Sequence, residues 1–142
     1  MYLDTAILVK LYVREPDSDY FAAIADDQVT CSSLLAYTEF WSALLGKERA
    51  GAIDSQQRRK AWDAFEQDVD GESIRLEPLS PAIFKKANRI LADCHPMVPL
   101  RSLDALHLAT CDHLQEWPLC TTDIRMRQSA ELLRFSLGDI PG

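Results

Sequence analysis

The opening stretch Met1-Tyr-Leu-Asp-Thr-Ala-Ile-Leu-Val-Lys10 constrains everything after it. Three apolar residues lead into Asp4, and Thr5 is followed by a second apolar run. A carboxylate between two hydrophobic segments must sit at a turn, bind something, or bear a desolvation cost of several kcal/mol. The simplest local solution is a short strand over Met1 to Leu3 that ends at Asp4. Thr5 can cap a helix over Ala6 to Val13, which Glu15-Pro16 stops.

The same alternation continues along the chain. Asp17 or Ser18 opens a short helix through Ile24 and Ala25, and Gln28 to Cys31 reads as a second strand. Ser32-Ser33 caps a longer helix over Leu34 to Ala50, ended by Gly51. Asp54-Ser-Gln-Gln57 has the form of a capping box for a helix through Val69, with Ala61, Trp62, Phe65 and Val69 at helical spacing. Ser73 to Leu76 is a third strand. Ser80-Pro81 is a strong helix start, because proline at the first helical position loses no hydrogen bond. Pro96 and Pro99 make a loop, and Ser102 caps a helix over Leu103 to Leu114. Pro118 to Thr121, Ile124 to Leu133 and Phe135 to Leu137 read as strand, helix and fifth strand. Strands alternating with helices predict an α/β domain with a mostly parallel sheet. Ligands in such sheets bind at the carboxyl ends of the strands, where strand order reverses.

At 142 residues the expectation is one domain over 1–142, with 138–142 a loose tail. No apolar run approaches the ~20 residues of a membrane span, and the first residues lack the form of a signal peptide, so a soluble cytoplasmic protein is expected. Four cysteines form no C-x-x-C pair and stand among apolar neighbours, as buried thiols do. The net charge of −7 argues against coating nucleic acid by charge alone. It is compatible with an enzyme that gathers carboxylates around a cation.

Four acids stand where the local pattern predicts burial. Asp4 ends the first strand, and Glu39 sits in the largely apolar Leu34-Leu-Ala-Tyr-Thr-Glu-Phe-Trp-Ser-Ala-Leu-Leu45. Asp104 opens Asp-Ala-Leu-His-Leu-Ala109, and Asp123 ends Leu119-Cys-Thr-Thr-Asp. Any one of them alone reads equally well as a helix cap or half of a salt bridge. Four together are harder to place that way, since close carboxylates repel unless a cation neutralises them. Magnesium or manganese suits an all-oxygen site.

In order and context these segments resemble the PIN domain, and more narrowly the VapC-type toxins of type II toxin–antitoxin pairs. The matching pieces are Tyr2 to Tyr12, Ala36-Tyr-Thr-Glu39, Asp104 to Ala109 and Thr121-Thr-Asp123. The resemblance covers essentially the whole chain. It implies a three-layer α/β/α sandwich around a mostly parallel five-stranded sheet, and a metal-dependent endoribonuclease. It also implies that Asp4, Glu39, Asp104 and Asp123 form an acidic quartet that holds Mg²⁺ or Mn²⁺. Thr5 and Thr121 would orient the carboxylates. A homodimer, an RNA substrate and an antitoxin whose tail covers the acidic groove follow from the same resemblance. The alternatives are an RNA-processing or decay nuclease without an antitoxin, and a non-catalytic binding module of the same fold.

Lys10, Arg125 and Arg127 are candidates for RNA phosphate contact, Lys10 at the rim and the arginines directly after Asp123. His107, three residues past Asp104, reads as a packed or supporting histidine rather than a general acid, because metals already cover the acid–base work. A dehalogenase-type phosphatase needs a second aspartate where Ala6 stands, and no glycine-rich phosphate loop is present.

Overall fold

The computed structural model describes residues 1–142. Its elements run β1 (Tyr2–Leu3), α1 (Thr5–Tyr12), α2 (Ser18–Ala25), β2 (Thr30–Ser33), α3 (Leu35–Arg49), α4 (Ser55–Asp70), β3 (Ile74–Glu77), α5 (Pro81–Cys94), α6 (Ser102–Leu114), β4 (Leu119–Cys120) and α7 (Ile124–Leu133). The strands form one parallel sheet in the order β3-β2-β1-β4. Tyr2 lies opposite Cys31 on one side and Leu119 on the other, so β1 is a central strand.

Two apolar cores, one on each face of the sheet, make this a three-layer α/β/α sandwich. Leu3, Ile74 and Cys120 join Ile7, Leu8, Phe21, Phe40, Leu44 and Phe65 of α1 to α4. Tyr2, Cys31 and Leu119 face the other way, against Ile83, Ala87 and Ile90 of α5, Leu108 of α6 and Met126 of α7. Side chains alternate along a strand, so the dipeptide Tyr2-Leu3 contributes one large residue to each core. Both are fully buried. Two residues suffice for β1 because pairing on both sides satisfies its backbone.

Local signals set most helix ends. Asp54 and Gln57 form a complete capping box at α4, and Ser80 caps α5 ahead of Pro81. Elsewhere the structure departs from the expected bounds. Asp4 rather than Thr5 caps α1, with Oδ1 accepting the Ile7 N–H, and Thr5 is the first helical residue. Arg101 occupies the N-cap position of α6, which Ser102 was expected to fill. The second strand lies two residues later than expected, with Ser32 and Ser33 inside it opposite Leu76 and Glu77. The expected fifth strand shrinks to one parallel bridge between Leu137 and Leu119.

Gly138, expected in a loose tail, is pinned to the edge of β4. Its N–H donates to the Leu119 carbonyl at 2.9 Å, and its carbonyl accepts from Arg127. A Cβ here would lie 2.9 Å from the Cys120 Sγ, so the close approach requires glycine. No helix is long and apolar enough to cross a membrane.

Strand order reverses between β1 and β4. The first crossover leads from β1 to β2 and on to β3, and the chain returns to the other side of β1 as β4. The crevice past the carboxyl ends of β1 and β4 is therefore the place where this topology puts a ligand. Asp4 and Thr121 are the first residues beyond those two ends.

Candidate active site

Asp4 is 4% exposed. Its Oδ1 accepts the Ile7 N–H at 2.9 Å, and its Oδ2 accepts from the Thr121 hydroxyl. Burial pushes the Asp4 carboxyl above the usual range; the Thr121 and Ile7 donors and nearby His107 pull against it, and Asp123 adds to the rise. Asp4 is thus a helix cap and also a strained acid, held where its charge is costly.

Thr121 joins the two strand ends. Besides donating to Asp4, its hydroxyl accepts the Asp123 N–H at 3.1 Å. Asp123 then caps α7, with Oδ1 accepting the Met126 N–H at 2.8 Å. Capping fixes one carboxylate oxygen and leaves the other for solvent or a ligand.

Glu39 lies in the second turn of α3 and is 30% exposed. Its Oε1 receives two donors: the Thr5 hydroxyl at 2.9 Å and His107 Nε2 at 2.6 Å. Burial works against its ionisation, but His107 and Thr5 prevail and hold the carboxyl below its usual value. Asp104 stands in the first turn of α6, one turn before His107. Burial, the negative charge of Asp123 and that of Glu39 push its carboxyl up, against the pull of His107 and Arg101. Asp104 and Asp123 line one open cleft of about 410 Å³ with Arg101, Thr122, Ile124 and Arg125.

The four acids thus come from the turn after β1, α3, α6 and the loop after β4, and Asp123 acts electrostatically on both Asp4 and Asp104. No three His, Cys, Asp or Glu side chains converge tightly enough to enclose an ion as they stand. Their chemistry nevertheless fits a hard divalent cation. The donors are all carboxylate oxygens, and no protein donor satisfies Asp104. Burial first, and repulsion from neighbouring acids second, raise Asp4 and Asp104, a cost that a cation would relieve.

Two of the three expected cationic contacts take other roles. Lys10 is not free at the rim: its ammonium is 2.9 Å from Asp17 and 3.6 Å from Glu15, with only 12% of the side chain exposed. Those carboxylates compensate a lysine that the apolar face of α1 would otherwise bury alone. Arg127 points Nη1 at the carbonyls of Thr121, at 2.9 Å, and Gly138, at 3.1 Å, so it braces the loop that carries Asp123. Arg125 does line the cleft. Arg101 lines it too and was not singled out from the sequence; its only local signal is its place three residues before Asp104. His107 is 2% exposed and hydrogen-bonded at both ring nitrogens. Its spacing from Asp104 hinted at proximity, but nothing local pointed to Glu39.

The profile of the PIN domain matches residues 1–132. The chain belongs to the PIN domain family. Within that family it is of the VapC type. It is 34% identical to Ribonuclease VapC46 of Mycobacterium tuberculosis over 96% of this chain and 95% of that protein. This PIN domain also superposes on a chain of a toxin–antitoxin complex from Klebsiella pneumoniae, with a TM-score of 0.58 and 18% identity, covering 86% and 85% of the two chains. That likeness is one of fold. In the PIN domain described here, Asp4 and Thr121 stand just past the ends of β1 and β4, and Asp104 and Asp123 line one cleft.

Proposed function

We propose that this PIN domain is a divalent-metal-dependent endoribonuclease and the toxin of a toxin–antitoxin pair. The observation that carries the reading is the pairing of Asp104 and Asp123 in one cleft, with Asp4 tied to the Asp123 loop through Thr121. The 34% identity with Ribonuclease VapC46 supports RNA as the substrate class.

Asp4, Asp104 and Asp123 would hold Mg²⁺ or Mn²⁺, which supplies Lewis acidity toward water and the phosphate oxygens. Glu39 is kept ionised by His107 and Thr5, so at neutral pH it accepts a proton rather than giving one. That suits it to accepting a hydrogen bond from the attacking water and orienting it. Thr121 and Thr5 fix the carboxylates of Asp4 and Glu39. The guanidiniums of Arg101 and Arg125 lie on the cleft wall, where they can take flanking phosphates without reading sequence. The protein acts in the cytoplasm as a homodimer, and the tail of the antitoxin silences it by covering the cleft. A basic residue of that tail would satisfy the same carboxylates that hold the cation.

The test is cleavage of RNA by the purified protein with Mg²⁺ or Mn²⁺, with EDTA and with the Asp4→Asn and Asp104→Asn variants. Cleavage is expected only in wild type with metal. Full activity in either variant, with wild type silenced by EDTA, would remove these residues from the mechanism.

A further inference from the structure

His107 has no place in the cleft itself, yet it is among the most completely engaged polar groups in the protein. It sits on α6, buried to 2% exposure. The Tyr2 hydroxyl lies 2.7 Å from Nδ1, and Glu39 Oε1 lies 2.6 Å from Nε2, with the Thr5 hydroxyl 3.4 Å from the same nitrogen. Its partners come from β1, α3 and the start of α1, so one imidazole links the elements that carry Asp4, Glu39 and Asp104.

The hydrogen-bond chemistry fixes its direction. A carboxylate oxygen only accepts, so the hydrogen lies on Nε2, which donates to Glu39 at 2.6 Å. The neutral ring then has Nδ1 as its acceptor, and the buried Tyr2 hydroxyl donates to it at 2.7 Å. Oε1 then receives two donors, Nε2–H and the Thr5 O–H, while no protein group donates to Oε2. One oxygen is anchored, and the other is available.

We infer that His107 is the positioning residue of Glu39: Tyr2 locks the imidazole as an Nε2–H donor, and His107 and Thr5 clamp Oε1 so that Oε2 alone serves the reaction. This rests on the reading of Glu39 as the carboxylate that orients the attacking water. A buried histidine that merely fills space would need no such coupling to one acid.

Two measurements on the full chain test it. In metal-free protein, nitrogen-resolved NMR should show an Nε2-bound His107 proton, protected from exchange and shifted downfield, which moves upfield in Glu39→Gln. In RNA cleavage, His107→Leu should lower kcat roughly 10–100-fold with KM near wild type, and His107→Gln, which restores an N–H donor, should recover much of the loss. The Glu39→Gln/His107→Leu double variant should be no slower than Glu39→Gln alone, because His107 acts only through Glu39. Wild-type kcat in His107→Leu, additive losses in the double variant, or no protected Nε2 proton in folded protein would overturn the inference. If wild type cleaves no RNA with any metal, the nuclease reading fails by itself, and the Nε2 proton and its response to Glu39→Gln still decide the clamp.

Discussion

Replacing Thr121 by valine removes one hydroxyl from the centre of the site and keeps the shape of the side chain. Thr121 is fully buried, and its hydroxyl holds Asp4 Oδ2. The variant leaves Asp4 with the Ile7 N–H alone, at 2.9 Å. A hydrogen bond to a charged group contributes about 1.5–3 kcal/mol, and a buried carboxylate that loses one falls in that range. The Asp123 N–H, 3.1 Å from the same hydroxyl, belongs to an exposed residue and can turn to water, so it adds little. Unfolding entropies of about 2.1 cal/mol/K per residue then imply a Tm lower by roughly 5–10 °C for a chain of this length. The assay is thermal unfolding followed by circular dichroism in EDTA, at neutral pH and again in acid near pH 3.

The pH dependence carries the stronger test. Burial holds the Asp4 carboxyl above its unfolded value, so over the interval between the two the native protein keeps a proton that the unfolded chain has released. The contribution of Asp4 to stability is therefore greatest in acid and declines as pH rises through the folded value. The Thr121 donor helps the ionised form. The deficit of Thr121→Val must then be full above the folded value and shrink below it, and Thr121→Ser must keep most of the wild-type stability. A Tm unchanged at neutral pH, or a deficit that persists undiminished into acid, would refute the claim that Thr121 stabilises the Asp4 carboxylate.

Asp104→Asn removes a carboxylate that burial, Asp123 and Glu39 all disfavour, so metal-free protein should unfold at a higher temperature than wild type even as RNA cleavage is lost. Mg²⁺ or Mn²⁺ at a hundred times its dissociation constant should stabilise wild type by about 2.7 kcal/mol, read as a rise in Tm, and should do much less for Asp4→Asn. Arg101→Gln and Arg125→Gln should raise KM for RNA more than they lower kcat, and each should reduce the salt dependence of binding by about one counterion. Effects confined to kcat would place those arginines at the reacting phosphate instead of beside it.

Local context made the acids legible. Asp4, Glu39, Asp104 and Asp123 each interrupt an apolar pattern, and an acid in such a place has few inexpensive explanations. The capping box at Asp54 and Gln57, the Ser80-Pro81 start and the bounds of α7 were legible for a similar reason: each depends on residues within one helical turn. The second strand was misplaced because Ser32 and Ser33 look like caps. Pairing with β3 across Leu76 and Glu77 overrides that local preference. The fifth strand was overextended because its single contact with Leu119 depends on where β4 lies.

The opening ten residues by themselves required a buried strand that ends at a carboxylate, and the alternation of strands and helices required a parallel sheet to bury it. Those are consequences of periodicity and desolvation, which act along the chain. What each charged group is paired with was decided only by the tertiary structure. Lys10 meets Asp17, Arg127 meets two backbone carbonyls, Thr121 meets Asp4 across 117 positions, and His107 meets Glu39 across 68. Hydrogen bonds form over about 3 Å and have no sequence period, so nothing in local composition encodes them. The sheet order that sets β1 beside β4 brings those partners within reach.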